Sequence, residues 1–354
     1  RTINNRGGEM PSFDYDIGII GGGAAGLTLA AGASQLGAKV AIFEEEPAMG
    51  GDCLHYGCVP SKALIASSRA YHLMRRAEDF GLPRVDLPPV DFSKVAARIK
   101  GIIDHIQHHD SEERFCGLGV KVIFGRARFL DENQVQAGDV KISAAKWLIG
   151  TGSRPSFPNV PGLEGGKVLT NREIFYMDKM PASMVVLGGG AIAMEMAQAF
   201  NRLGCKVSVV QRSGRIMTKE DPWCAELVTK HMQDEGVEFH LGTNLKRVDD
   251  AGSGKSVTFE QNAEEKTIQA EAVLCALGRT PNTSDMGLED IGVELNKGWV
   301  ATDERLRTSQ KHIFAAGDVL GVHQFTHAAG YEGGVVLANT VFKLPKKVDY
   351  TWLP

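Results

Sequence analysis

Apolar residues recur along this chain in two rhythms. Short, nearly unbroken runs alternate with stretches at three-to-four spacing, the pattern of buried parallel strands joined by helices. Tyr15–Ile20 is such a run and leads into Gly21-Gly22-Gly23-Ala24-Ala25-Gly26; a helical stretch from Leu27 to Leu36, then Gly37 and a second strand, Lys39–Phe43, ending on Glu44, follow. The design returns with Gly188 in the place of Gly21: Val185-Val186-Leu187 lead into Gly188-Gly189-Gly190-Ala191-Ile192-Ala193, a helix runs through Phe200, and Leu203–Val207 matches Leu36–Val40 in register. Between the repeats, Ala63–Ala77 and Phe92–Cys116 have amphipathic helical spacing and flank the proline-rich loop Gly81–Asp91. His105, His108 and His109 fall at i, i+3 and i+4 of the second stretch, a spacing that can bind metal but more often marks a solvated face.

Val120–Phe124 and Arg126–Phe129 read as strands, and Trp147–Ile149 is an apolar strand entering the turn Gly150–Pro155. Val160–Gly166 reads as the crossing into a second domain, and Val273–Leu277 with Gly278–Asn282 as the exit. Late in the chain a strand from His312 ends on Gly317-Asp318, and a helix follows from about Thr326 to Val341. Asp318 would stand at the carboxyl end of a strand, where α/β sheets bind ligands; a helix-capping aspartate is the plainer alternative.

A lone G-x-G-x-x-G carries little weight. Here each copy has a strand before it and a helix after it, and the first has an acidic residue about 20 positions on, the context a dinucleotide site requires. Gly21 makes the tight turn, Gly23 lets backbone approach a pyrophosphate, Gly26 lets helix pack on strand, and Glu44 would accept from ribose hydroxyls. In the second copy Ala193 replaces the third glycine, at the position that governs helix packing. Gln211 stands where Glu44 stood, and Arg212 follows it. Without a carboxylate for the 2′-hydroxyl, and with an arginine beside it, this site should favour NADPH over NADH. Two sites imply two nucleotides.

Gly50-Gly51-Asp52-Cys53-Leu54-His55-Tyr56-Gly57-Cys58-Val59-Pro60-Ser61-Lys62 places two cysteines five positions apart where a helix begins. Five residues of regular helix rise about 7.5 Å, beyond the roughly 4.4–6.8 Å between Cα atoms that a disulfide tolerates. The pair reads as a redox disulfide only if the backbone is irregular there, which Gly57 permits; Pro60 suits a first helical turn. Cys58 would then lie at the positive end of a helix, where a thiolate is stabilised. Two merely neighbouring buried cysteines, or half of a zinc site, are the alternatives, and no second Cys/His pair at zinc spacing accompanies them.

At 354 residues, 43% hydrophobic and 23% charged, the chain has the composition of an ordinary globular protein of two or three domains. A net charge of −4 gives no basic footprint for nucleic acid. No apolar run reaches the roughly 18 residues of a membrane span, and no signal peptide is visible. Six cysteines in so long a chain favour a reducing compartment, so a cytoplasmic location is expected. Residues 1–12 read as a leader or a tag, with Met10 as a candidate natural start.

These ordered motifs, with Thr151-Gly152, Gly278-Arg279-Thr280-Pro281-Asn282 and Ala316-Gly317-Asp318, resemble those of the flavin-dependent pyridine nucleotide–disulfide oxidoreductases, the family of glutathione reductase, dihydrolipoamide dehydrogenase and mercuric reductase. The likeness runs from about Phe13 to the end. It implies an α/β fold of two Rossmann-like domains, three-layered as β/β/α or α/β/α, one inserted in the other. Residues 13–157 and 281–345 would bind FAD, 158–280 would bind NAD(P), and 346–354 would begin a linker to a dimerisation domain absent from this chain. Phe80-Gly81-Leu82, Glu113-Arg114-Phe115, Leu118-Gly119-Val120, Arg212-Ser213, Glu220-Asp221-Pro222 and Phe325-Thr326-His327 look most like the mercuric reductase branch, although no N-terminal metal-binding cysteine domain is present.

By the same resemblance Gly21, Gly23, Ala25, Gly26 and Glu44 would hold the ADP part of FAD, Ala127 would touch its adenine end, and Asp318 its ribityl or phosphate region. Gly51, Asp52, Thr151, Gly152 and Thr326 with His327 would complete that site. Cys58 would be the sulfur against the flavin and Cys53 the outer thiol that exchanges with substrate. Lys62 would lie near flavin N5, paired with Glu195. Gly188, Gly190, Ile192, Gln211, Arg212, Gly278 and Arg279 would bind NADP or NAD. The implied activity passes electrons from NAD(P)H to the Cys53–Cys58 disulfide and on to a small disulfide or Hg(II), or runs in reverse to oxidise a dithiol. An NAD(P)H oxidase or diaphorase, or a non-catalytic redox sensor, is the alternative. The resemblance implies no resident metal, a role in cell redox homeostasis, and a homodimer for the complete parent protein.

Overall fold

The structure, a computed structural model, describes residues 12–163 and 167–353; Met10, most of the expected leader and the last part of the Val160–Gly166 crossing lie outside them. The chain runs β1 (Tyr15–Ile20), α1 (Ala24–Gln35), β2 (Val40–Glu44), α2 (Gly51–His55), α3 (Cys58–Arg75), α4 (Phe92–Gln107), α5 (Glu112–Gly117), β3 (Lys121–Phe124), β4 (Arg128–Asp131), β5 (Gln134–Ala137), β6 (Val140–Ile149) and β7 (Ser153–Pro155). It continues through β8 (Ser183–Leu187), α6 (Ala191–Leu203), β9 (Lys206–Gln211), α7 (Pro222–Asp234), β10 (Glu238–Leu241), β11 (Thr243–Ala251), β12 (Gly254–Gln261), β13 (Glu264–Ala270) and β14 (Ala272–Cys275). It ends with β15 (Arg279–Pro281), β16 (Leu295–Asn296), β17 (Trp299–Val300), β18 (Ile313–Ala315) and α8 (Thr326–Thr340).

Contacts divide these elements into two compact units. One holds the chain up to His55, Ile106–Arg154 and the part from Pro281 on; the other holds Tyr56–His105 and Pro155–Thr280. Residues 56–105 thus group with the second repeat rather than with the first. The reason is that α3 and α4 pack on α6: Phe92 lies 5.7 Å from Phe200, ring to ring, and Lys62 pairs with Glu195.

In the first unit β3, β2, β1 and β6 are parallel neighbours, and β18 adds to the far side of β6. Alternate residues serve opposite faces, as the pleat requires. Ile17, Ile19, Val40 and Ile42 pack with residues of α1 and α8 in one core, whereas Ile20, Ala41 and Phe43 pack with Phe129, Val135 and Trp147 in another. The start of β6 pairs antiparallel with β5, and β5 with β4, so one strand belongs to both a parallel sheet and a meander. The layers are β/β/α. Gly18 makes room for the central aromatic, because a Cβ there would lie 2.2 Å from the Trp147 ring.

The second unit repeats the plan. Parallel β10-β9-β8-β14 accompanies the antiparallel meander β11-β12-β13, and Val185, Leu187 and Val210 share a core with Val257 and Phe259. Among the described residues no helix is long and apolar enough to cross a membrane.

One helical stretch differs from the periodicity in kind. The stretch Phe92–Cys116 breaks after Gln107, because Ser111 caps a new helix by accepting the Arg114 N–H at 3.2 Å, with Glu112 and Glu113 in its first turn. His109 therefore donates its N–H to Ile106 in a turn, and His105, His108 and His109 do not share one helix face. Among the described residues no group of three His, Cys, Asp or Glu could hold a metal. α3 starts at Cys58, so that cysteine does lie at a helix N-terminus, as the motif suggested.

Candidate active site

In the first unit the glycines of the β1–α1 turn answer two different demands. Gly21 has φ +109°, and a Cβ on it would lie 2.3 Å from the Gly150 carbonyl oxygen; one on Gly26 would lie 2.0 Å from the Gly21 oxygen. The fold itself needs both. Gly23, the N-cap of α1, has φ −90°, and a Cβ there would meet nothing closer than Gly51 Cα at 3.8 Å. Among the described residues nothing demands glycine at that position, and no side chain caps α1. The result is a steric cradle over backbone N–H groups, the form a pyrophosphate needs. Gly51 backs it, with φ +62° and a would-be Cβ 2.8 Å from Gly23 Cα.

Around this cradle the other signatures converge. Glu44, buried at the end of β2, accepts the Gly22 and Glu46 N–H groups, each at 2.7 Å. Burial pushes its carboxyl pKa up, and the two backbone donors oppose the rise. Two donors on two oxygens leave lone pairs for further donors. Thr151 Oγ1 donates to the Asn282 carbonyl (2.7 Å), Asn282 Nδ2 returns a bond to the Thr151 carbonyl (2.9 Å), and the Asn282 N–H donates to the Gly152 carbonyl. Ser153 Oγ donates to Asp318 at 2.7 Å. Asp318 opens a 3-10 turn after Gly317, whose N–H donates at 2.6 Å to Glu332, a carboxylate only 1% exposed. Tyr350 Oη donates to the other Glu332 oxygen at 2.7 Å. Ala25 faces Gly317 from α1. Thr326 opens α8, beside the stacked rings of Phe325 and His327. Ala127 is buried in the core with Phe129 and Trp147.

The cysteine motif lies where α2 ends at His55 and α3 begins at Cys58, with Tyr56 and Gly57 outside either helix. The irregular backbone that the five-residue spacing requires is therefore present. Asp52 and Cys53 are half-buried on α2, and Cys58 is exposed. Among the described residues no side chain caps α3, and its first turn has no acidic residue, so its N–H dipoles favour a thiolate at Cys58. One turn on, Lys62 Nζ meets both Glu195 oxygens, at 2.6 and 2.7 Å. That pair is 59% and 37% exposed, a setting in which ion pairs contribute only about 0–1 kcal/mol; its value is the placing of Lys62.

The second fingerprint reproduces the first. Gly188 (φ +115°) could not carry a Cβ, which would lie 2.4 Å from the Ala276 oxygen, whereas Gly190 has nothing within 4 Å and N-caps α6 with no side-chain bond. Ala193 is fully buried, so this helix packs with a methyl in the third position. Gln211 folds back on Gly189 as Glu44 does on Gly22. Arg212 is exposed and makes no ion pair among the described residues, while Arg215 is occupied with the carbonyls of Met217, Thr218 and Glu220. Ile192 is half exposed on the first turn of α6. Gly278 has φ +121° and accepts the Ser156 N–H, and Arg279 opens β15.

Residues 15–333 match the family described as pyridine nucleotide-disulphide oxidoreductase. The chain belongs to that family. Within it, the chain is 33% identical over 354 residues to a mercuric reductase of Bacillus cereus, covering all of this chain and 55% of the relative. It is 35% identical over 345 residues to a dihydrolipoyl dehydrogenase of Geobacillus stearothermophilus, covering 95% and 72%. Among solved structures it resembles the HOCl-induced flavoprotein disulfide reductase RclA from Escherichia coli, with a TM-score of 0.83 and 25% identity over 94% of this chain and 72% of that one. The chain thus spans little more than half the length of the first of these relatives.

Membership in the pyridine nucleotide-disulphide oxidoreductases fits the Rossmann-like α/β architecture of both units. Three sets of residues escaped sequence reasoning. Glu332 and Ser153, which hold Gly317 and Asp318, carried no motif. Neither did Arg202, whose guanidinium makes bonds of 2.6 and 2.8 Å to Glu235, with His72 Nε2 at 3.9 Å. The third set is Asn171, Arg172 and Tyr176 around Tyr56; the only signal was an aromatic residue between the two cysteines.

Proposed function

We propose that this chain is the nucleotide- and disulfide-bearing part of an FAD-dependent oxidoreductase that moves electrons between NAD(P)H and a thiol–disulfide pair at Cys53 and Cys58. One observation carries the reading: in each fingerprint the middle glycine, Gly23 or Gly190, is sterically unnecessary to the protein itself, which supports reserving that space for a ligand's phosphates. When bound, FAD supplies the hydride and electron-pair chemistry that side chains lack. The chain's own residues do the rest. Gly21–Gly26, Glu44, Thr151, Gly152 and Asp318 bind and orient FAD, with Gly51, Asp52, Ala127 and Thr326 around them. Lys62, fixed by Glu195, presents its ammonium, and the α3 N-terminus lowers the cost of a Cys58 thiolate. Cys53 exchanges with substrate by thiolate attack.

Gly188, Gly190, Ile192, Gln211, Arg212, Gly278 and Arg279 bind the nicotinamide nucleotide, and the uncommitted Arg212 beside a neutral Gln211 favours NADPH over NADH. The substrate class is a small disulfide, a dithiol or Hg(II), with a homodimer as the working assembly of the parent protein. Anaerobic reduction of the flavin-loaded chain tests the proposal. NADPH should expose two additional thiols per wild-type chain and none in Cys58→Ser. Bleaching of the flavin with no gain of thiols in wild type would instead favour an oxidase or diaphorase.

A further inference from the structure

Tyr56 sits in the break between α2 and α3, outside either helix. Three side chains from one short turn grip it. Asn171 Nδ2 donates to the Tyr56 carbonyl at 3.0 Å, the Arg172 guanidinium lies 4.2 Å above the Tyr56 ring, and the Tyr176 ring meets it edge-on at 6.0 Å. That turn is also held by its own hydrogen bonds and by burial. Glu173 accepts the Thr170 N–H and hydroxyl at 2.8 and 2.7 Å, Thr170 Oγ1 accepts the Arg172 N–H at 3.1 Å, and Ile174 and Phe175 anchor it in the core. Tyr56, Cys58 and the turn all belong to the second unit.

We propose that Asn171, Arg172 and Tyr176 are positioning residues that hold the Tyr56–Gly57 break open and thereby set the redox potential of the Cys53/Cys58 pair. The inference rests on the reading of those cysteines as a redox pair. Its sign follows from geometry. A continuous helix separates residues five apart by about 7.5 Å along its axis, too far for a disulfide, so a break free to relax toward helix favours the dithiol and a clamped break favours the disulfide. Arg172 holds the Tyr56 ring from above, 4.2 Å from its centroid, where a guanidinium offers both its broad contact area and its charge. The Tyr176 hydroxyl, pushed up to about 12 chiefly by burial, stays protonated at neutral pH and adds no charge at the edge of the Tyr56 ring.

The test equilibrates the full chain in buffers of reduced and oxidised dithiothreitol and counts alkylated thiols by mass. In this couple the protein disulfide gains two electrons and two protons while dithiothreitol loses them and closes its ring. Asn171→Ala and Arg172→Ala should each shift the equilibrium about tenfold toward the dithiol, about 30 mV for a two-electron couple. Arg172→Lys, which keeps the charge but not the broad guanidinium, should shift it the same way by a smaller factor, and Tyr56→Phe should leave it unchanged. Circular dichroism checks folding, and Arg172→Lys carries the test if an alanine variant does not fold. Wild-type potentials in folded Asn171→Ala, Arg172→Ala and Arg172→Lys would overturn the clamp alone. Failure of wild type to form any Cys53–Cys58 disulfide would overturn both the clamp and the redox reading beneath it.

Discussion

Gly190→Ala separates what the fold needs from what a ligand needs. Gly190 has φ −79° and no heavy atom within 4 Å of a would-be Cβ, so the methyl costs nothing in packing. Alanine is a poorer N-cap than glycine by about 1 kcal/mol, and the loss of unfolded-state freedom returns about 0.4–1 kcal/mol. The net change is under about 1 kcal/mol, a shift of no more than roughly 4 °C in Tm. A methyl in the phosphate cradle, by contrast, should remove at least one hydrogen bond to a charged group, worth about 1.5–3 kcal/mol, or roughly 10- to 150-fold in Kd. Gly188→Ala is the contrasting variant. Its backbone is left-handed and its Cβ would lie 2.4 Å from a carbonyl oxygen, so it should lose about 2–5 kcal/mol of stability. Calorimetry of NADPH binding and thermal unfolding on both variants decide the matter. A folded Gly190→Ala that binds NADPH within threefold of wild type would refute the cradle.

Other expectations follow from single contacts. In Glu235, burial raises the carboxyl pKa but the Arg202 bonds and charge outweigh it and hold it below the ordinary value, while burial and then Arg202 hold His72 down. Both depressed groups contribute stability that is present above their unfolded values, 4.5 and 6.5, and is lost as pH falls. Arg202→Met should cost about 3 kcal/mol at pH 7 and flatten the fall of Tm between pH 7 and 4; an unchanged acid slope would count against it. Tyr350→Phe leaves a buried Glu332 oxygen short of a donor and should cost about 1–3 kcal/mol by denaturant unfolding. Lys62→Met should move Tm little, since exposed pairs are worth about 0–1 kcal/mol, yet slow NADPH-driven thiol formation by about tenfold or more; equal rates would remove Lys62 from the site.

Much of this was legible because close backbone approach leaves glycine no substitute. Gly21, Gly26 and Gly188 are read from sequence for the same reason a Cβ fails at each of them. Strand existence was equally plain, since runs such as Tyr15–Ile20 are buried on both faces. The helix break at His108–Ser111 was harder, because its apolar spacing continues through a capping serine that only local hydrogen bonding reveals. The grouping of residues 56–105 was illegible for a different reason. It depends on α3 and α4 meeting α6 through Lys62 with Glu195 and Phe92 with Phe200, contacts between positions more than a hundred residues apart that no local pattern encodes. Glu332 and Arg172 likewise act through partners distant in sequence.

The interleaving of the two units bears on biosynthesis. The parallel sheet that starts at Tyr15 is not complete until Ile313–Ala315 pairs with Trp147–Ile149, after the whole of the other unit's chain has been made. A nascent chain that has emerged only through β14 therefore presents an unpaired edge along β6. Such late, non-local closure slows folding and exposes the edge to wrong partners. Expression at lower temperature or with chaperones should raise the yield of this chain more than it would for one whose units follow each other in sequence.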